Sequence, residues 1–144
     1  MKSPTLLNLV DSLNQTALAD GSFLNIDMFE SDNSVACITI NDREELPIYM
    51  TVDAGQILVI TYLFSDSEIK IERKADLLEA MLILNVSIPL SAFSKISDQY
   101  IMFGALSPES KISDLIKEIE TLSDNVLEAI EAVGDYLTSN QLSA

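Results

Sequence analysis

The sequence predicts an α+β domain: an antiparallel sheet of about five strands with an N-terminal helix, a middle helix and a long C-terminal amphipathic helix. Three observations predict it. The spacing of apolar residues changes from helical to alternating after Phe23. The run Gln56 to Phe64 is rich in the β-branched and aromatic residues that fit a pleated surface. From Ile112 to Tyr136 apolar residues recur at alternating steps of three and four, which is one continuous helical seam. A chain of 144 residues, 48% of them hydrophobic, is the size of one domain and can bury a core without metal or disulfide staples. With four Gly, four Pro and no Ser-, Gly- or Pro-rich stretch, residues 1–144 are expected to fold as a single α+β unit.

The elements follow in order. Leu6, Leu7, Leu9, Val10 and Leu13 have helical spacing after Pro4, with Ser3 as the expected N-cap and Asp20-Gly21 as the exit. Leu24, Ile26 and Met28 then alternate with polar residues, and Asp32-Asn33-Ser34 reads as a turn. Strands are expected at Val35 to Ile40 and Pro47 to Val52, and Asp53-Ala54-Gly55 reads as a hairpin connection into Gln56 to Phe64. That last strand is apolar on both sides: Ile57, Val59, Thr61 and Leu63 alternate with Leu58, Ile60, Tyr62 and Phe64, so both of its faces should be covered. Arg73 to Asn85 fits a second, substantially buried helix, interrupted by Ile88-Pro89-Leu90. Tyr100 to Leu106 is strand-like, and Ser107-Pro108 supplies an N-cap followed by Pro at the first position of the last helix. In that helix Ile112, Leu115, Ile119, Leu122, Val126, Ala129, Val133 and Tyr136 form the seam. Asp114, Glu118, Glu120, Asp124, Glu128, Glu131 and Asp135 are read as the opposite, solvated arc.

Composition removes whole classes of function. There is no histidine, so His-based triads and the commonest metal ligand are absent, and one Cys cannot build a Cys/His zinc site. No glycine-rich phosphate loop, dinucleotide fingerprint or EF-hand loop is present, and neither metal nor cofactor is expected. Cys37 sits in an alternating apolar segment, where a free thiol is expected to act as a buried small hydrophobe. A net charge of −15 opposes direct binding to phosphate backbones or anionic lipid. The one basic cluster, Lys70, Arg73 and Lys74, is interleaved with Glu68, Glu72 and Asp76 and reads as a solvated, paired stretch. No apolar run approaches the ~20 residues of a membrane-spanning helix, and the N-terminal residues lack a secretory pattern, so a cytoplasmic protein without membrane insertion is expected. The densest carboxylate candidates, Asp42, Glu44 and Glu45, read better as a charged hairpin loop tempered by Arg43, and Ser91 to Lys95 lacks the Ser-x-x-Lys spacing of a serine nucleophile.

Three segments carry a resemblance: Asp42-Arg43-Glu44-Glu45-Leu46-Pro47-Ile48, then Met102-Phe103-Gly104-Ala105-Leu106-Ser107, then Ile119-Glu120-Thr121-Leu122-Ser123-Asp124-Asn125-Val126. In sequence and order they resemble the bacterial YjfI family, a domain of unknown function. The resemblance implies no catalytic residue, and it implies a partner only through a neighbourhood of envelope-stress proteins. Separately, the order of helix, four strands, helix, strand and long helix is similar to the type III secretion chaperone fold. Such proteins are usually homodimers that hold an extended segment of another protein, and that likeness does not fix function.

The expected function is therefore that of a non-catalytic, cytoplasmic protein-binding or adaptor domain, chaperone-like, whose expected partners are a second copy as a homodimer and a client protein. The expected contact surface is Leu58, Ile60, Tyr62 and Phe64 of the two-faced strand, the loop Glu45-Leu46-Pro47, and Phe103-Gly104, where glycine permits close approach. The alternatives are an acidic nucleic-acid mimic that titrates a basic protein, and a carboxylate enzyme dependent on a divalent metal.

Overall fold

The computed structural model describes residues 6–14, 16–29 and 32–138. In chain order the elements are α1 (Leu6–Leu13), β1 (Leu24–Phe29), β2 (Asp32–Ile40), β3 (Ile48–Val52), β4 (Ile57–Ser65), α2 (Lys74–Asn85), β5 (Ala92–Ile96), β6 (Gln99–Leu106) and α3 (Ile112–Val133). Single 3-10 turns at Asp66–Glu68, Ile71–Arg73 and Gly134–Tyr136 flank the last two helices. The six strands form one antiparallel sheet in the order β1-β2-β3-β4-β6-β5.

The period of two decides which side of the sheet is core. Leu24 and Ile26, Ala36, Ile38 and Ile40, Ile48 and Met50, Ile57 and Val59, and Met102 are all buried on one side. On that side α1 contributes Leu6, Leu9, Val10 and Leu13, α2 contributes Leu77 and Met81, and α3 contributes its seam from Leu115 to Val133. Each fully buried side chain of this kind stabilises the fold by about 1.5–3 kcal/mol relative to exposure. The described residues thus form two layers, with their helices on one side of the sheet.

Several details depart from the sequence reading. The first helix ends at Leu13, well before Asp20-Gly21. The intervening chain closes a small turn in which Gly21 takes φ +90°, and Ala17 bridges Phe23. Ser3 lies outside the described residues. Asp32 to Ser34 belong to β2 rather than to a turn, because β1 and β2 pair as far as Phe29 and Asp32, past an irregularity at Met28/Phe29. The sheet gains β5, whose short, polar sequence Ala92-Phe93-Ser94-Lys95-Ile96 carries little strand signal of its own. The last helix starts at Ile112 instead of Pro108, since Ser107 to Ser110 form a turn closed by Ser110 N–H on Ser107 O and Glu109 N–H on Ser107 Oγ.

Both outer strands have edge groups occupied. On β1, Ile26 N–H donates to Asn14 Oδ1 at 3.3 Å and Leu24 N–H to Thr16 O at 3.0 Å. On β5, Phe93 N–H donates to Asn85 Oδ1 at 2.7 Å, and Asn85 Nδ2 returns to Phe93 O at 3.4 Å. An asparagine amide therefore imitates a neighbouring strand at each margin, which blunts the unpaired edges that invite further strands.

Candidate functional site

Among the described residues, the side of the sheet away from the helices has no covering layer. Across it runs one cross-strand row, Cys37, Tyr49, Ile60, Phe103 and Ala92, each residue paired with the next by register. Leu58 and Tyr62 flank Ile60 on β4, Tyr62 faces Ile101 of β6, and the Tyr49 and Tyr62 rings meet edge-on at 5.8 Å and 70°. Tyr62 is 44% exposed, while Leu58, Ile60 and Phe103 are half-buried by one another. Among the described residues of this face Asp27 is the one with a charged side chain. Its environment is apolar enough to matter: burial, and then Asp27, pushes the Cys37 thiol up, and burial, then Cys37 and Tyr62, pushes the Tyr49 hydroxyl up. Cys37 is half-buried on this open face and not in the core as expected; its neighbours Ala36 and Ile38 take the core positions.

Of the expected contact residues, Leu58, Ile60, Tyr62 and Phe103 are thus brought together. Phe64 and Gly104 are not. The register of β4 on β6 shifts between Tyr62 and Phe64, which reverses the alternation and turns Phe64 to the core side, where it stacks on Tyr100 at 5.1 Å. Gly104 is opposite Val59 on the core side and lies beneath α3. Glu45, Leu46 and Pro47 form part of the β2–β3 connection: Glu45 is exposed, and Leu46 is half-buried and packed on the core. In that loop Glu44 Oε2 accepts from Asp42 N–H at 3.1 Å, and Arg43 Nη1 donates to Ser123 Oγ and Asp124 Oδ1 on α3, both at 2.8 Å. Of the carboxylates proposed for chemistry, Glu44 is engaged in holding the loop's shape, and Arg43 attaches the loop to the helix.

Helix α2 carries a second apolar surface that the sequence reading assigned to the core. Only Leu77 and Met81 are buried, whereas Leu82 is 70% exposed, and Leu78, Ile83 and the following Val86 also face outward. Apolar residues on every side of a helix in a domain with one sheet were the signal for this surplus. Between α2 and β5 it borders a cleft of about 280 Å³ lined by Leu78, Met81, Leu82, Phe93, Lys95 and Tyr100. The basic cluster beside it is paired, but not with its interleaved acids. Lys74 bonds Asp66 at 3.0 Å, Lys70 Nζ donates to Asp135 O at 2.9 Å, and Arg73 lies 4.3 Å above the Tyr136 ring. The Lys74 contact, followed by the Tyr100 hydroxyl, holds the Asp66 carboxyl below its usual range.

The acidic arc of α3 also differs from a uniformly solvated face. Glu120 Oε2 accepts from Ala19 N–H at 3.1 Å, Asp124 holds Arg43, and Glu118 is buried at 4% exposure. Neighbouring Asn125, also buried, donates through Nδ2 to Pro89 O at 2.8 Å and to Ser91 Oγ at 3.0 Å, which fastens the α2–β5 loop to α3. Among the described residues no helix is long and apolar enough to cross a membrane.

The three segments singled out in the sequence therefore map to the Arg43 loop, to β6 with Gly104 under Glu118, and to the stretch of α3 that both loops grip. The sequence has relatives. The chain is 33% identical over 126 residues to the uncharacterized protein YjfI of Escherichia coli strain K12, a match spanning 84% of this chain and 92% of that protein. The match to the uncharacterized protein YjfI of Escherichia coli O157:H7 has the same identity and extent. Residues 3–137 match the family described as an uncharacterized protein conserved in bacteria (DUF2170). The chain belongs to this bacterial YjfI-like family, a domain of unknown function.

Proposed function

We propose that this protein is a non-catalytic, cytoplasmic binding domain, adaptor-like or chaperone-like, whose uncovered sheet face seats another protein. The observation that carries the reading is the row Cys37, Tyr49, Ile60, Phe103 with Leu58 and Tyr62 beside it, an apolar and aromatic surface over which none of the described helices lies. An antiparallel sheet that merely faces water alternates apolar and polar residues, and β4 does not. Charge narrows the occupant. The face has Asp27 and no cation among its described residues, on a chain of net charge −15, so the complementary surface is an apolar patch ringed by Lys and Arg. With strand edges occupied by Asn14 and Asn85, the partner is expected to dock on the face and not to extend the sheet.

The test is capture of a partner at low salt and at ~0.5 M salt, where exposed charge pairs are largely screened, with light scattering for the mass of the chain alone. A partner with a basic, apolar surface that is weakened but retained at high salt supports the reading if Ile60→Asp and Tyr62→Glu both release it and Leu82→Asp does not. Far-UV circular dichroism of each variant checks that the fold survives. A dimer of this chain abolished by the same two variants would assign the face to a second copy instead. Loss of all capture at high salt would overturn the reading in favour of an acidic mimic.

A further inference from the structure

Glu118 is a buried acid with an acceptor for a neighbour. Its Oε2 is buried and has no hydrogen-bond partner among the described residues, while Glu118 lines the cleft between α3, the end of β6 and Leu90. The carboxyl lies where a side chain on residue 104 would be: a methyl group on Gly104 would stand 2.9 Å from Glu118 Oε2, 3.0 Å from its Cδ and 3.2 Å from Leu90 O. Glycine at 104 thus lets α3 and the loop bring a carboxylate and a backbone carbonyl close to the same stretch of β6, and both groups accept hydrogen bonds. The loop is held there against its own preference. Leu90 takes φ 63°, a conformation that disfavours L residues, while Asn125 grips Pro89 O and Ser91 Oγ on either side of it. Burial alone pushes the Glu118 carboxyl above its usual range, consistent with a carboxylate that lacks a counterion.

Beside this point is a cleft of about 400 Å³ lined by Leu90, Ala105 and Leu106 and, at its polar side, Ser110, Asp114, Lys117 and Glu118. Glu118 and Leu90, which both line it, bring two acceptors that call for a cation or a proton. A hard metal ion would ask for six or more oxygen ligands, and among the described residues no three acids are grouped to hold one. An ammonium group, with three donors on an aliphatic stem, matches both the base and the walls. We propose that the cleft between α3, the end of β6 and Leu90 binds an alkylammonium ion, its nitrogen donating to Glu118 and to Leu90 O, its stem lying on Leu90 and Leu106. Asp114 strengthens the site from the rim and Lys117 opposes it, so a monocation is favoured over a bare dication of small size. This site is separate from the open sheet face and stands whether or not that face seats a protein.

The experiment is a titration of the isotope-labelled full chain with n-butylammonium chloride, followed by amide shifts, alongside n-butanol, butyrate, calcium chloride and magnesium chloride. The expected result is saturable movement of Gly104, Ala105 and Leu90 with butylammonium, at millimolar concentration, and none with butanol or butyrate. Glu118→Gln, which keeps the shape and removes the charge, should weaken binding about tenfold or more, and Asp135→Asn, remote from the cleft, should leave it unchanged. Gly104→Ala should abolish binding, and thermal melting shows whether that variant is folded. An Nα-acetyl-lysine methylamide arm separates the sources: tighter binding than butylammonium points to a partner's lysine, weaker binding to a free amine. Equal responses to butanol, undiminished binding by Glu118→Gln, a response to calcium or magnesium alone, or no shift in any arm would overturn the proposal; in the last case Glu118 is a core acid that keeps its proton.

Discussion

Replacing Asn125 by Ala tests whether the α2–β5 loop is held by α3 or merely rests on it. The side chain makes two hydrogen bonds, at 2.8 Å to Pro89 O and 3.0 Å to Ser91 Oγ, and both Asn125 and Ser91 are buried. Each bond contributes about 1 kcal/mol net, and a buried acceptor stranded by the change adds about 1–3 kcal/mol more. If the loop stays in place, the loss is about 3–5 kcal/mol. If the loop lets go, water satisfies Pro89 O and Leu90 leaves its φ of 63°, which returns about 1–2 kcal/mol and brings the loss nearer 2 kcal/mol. With a urea m-value of about 2 kcal/mol/M for a domain of this size, the midpoint should fall by roughly 1–2.5 M. The assay is urea unfolding of wild type, Asn125→Ala, Ser91→Ala and the double variant, with a coupling energy of about 1 kcal/mol expected between the two sites. A loss below about 0.5 kcal/mol, or additive single effects, would refute the clamp.

Other outcomes follow from the same packing. Because the Glu118 pKa is raised in the folded state, the native chain holds a proton that the unfolded chain has lost; the stability it contributes is full at low pH and is lost as pH rises through the folded value. Glu118→Gln should therefore match wild type in acid and become the more stable of the two as pH rises above the usual glutamate range, in urea midpoints taken from pH 4 to pH 8, roughly the span over which such linkage acts. Leu77→Ala, at a fully buried site, should cost about 2–5 kcal/mol, whereas Leu82→Ala, 70% exposed on the same helix, should stay within about 0.5 kcal/mol, as calorimetric melting would show. Ser97, at φ 55° in the β5–β6 hairpin, should accept Gly with a gain of roughly 0.5 kcal/mol, since relief of strain of about 1–2 kcal/mol exceeds the added chain entropy; a lower melting temperature would contradict this.

The α3 seam and the two apolar sides of β4 were legible because each repeats over many residues, and periodicity is what a sequence displays most plainly. Phe64 was misplaced because a single register shift reverses every later side chain, and nothing in Thr61-Tyr62-Leu63-Phe64 marks it. Strand β5 was hidden because an edge strand of five residues, stabilised by Asn85 and by pairing with β6, needs little apolar pattern of its own. Glu118 and Asn125 were readable in part. Glu118 lies three residues after Leu115 and four before Leu122, and Asn125 repeats that relation to Leu122 and Ala129, so both flank the seam and not the solvent arc. Which contacts they make depends on a loop distant in the chain, and that is information a helical wheel does not hold.

The two asparagines at the sheet margins bear on what happens when this protein is abundant. A bare β-surface with open margins has two directions of growth, by stacking and by lateral addition, and together they lead to fibres. Here lateral addition is obstructed at Ile26 and Phe93. Stacking alone is self-terminating, because each chain has one bare side and helices on the other. Assemblies built through that side close at two layers, so crowding is expected to yield discrete particles of fixed stoichiometry in place of polymer.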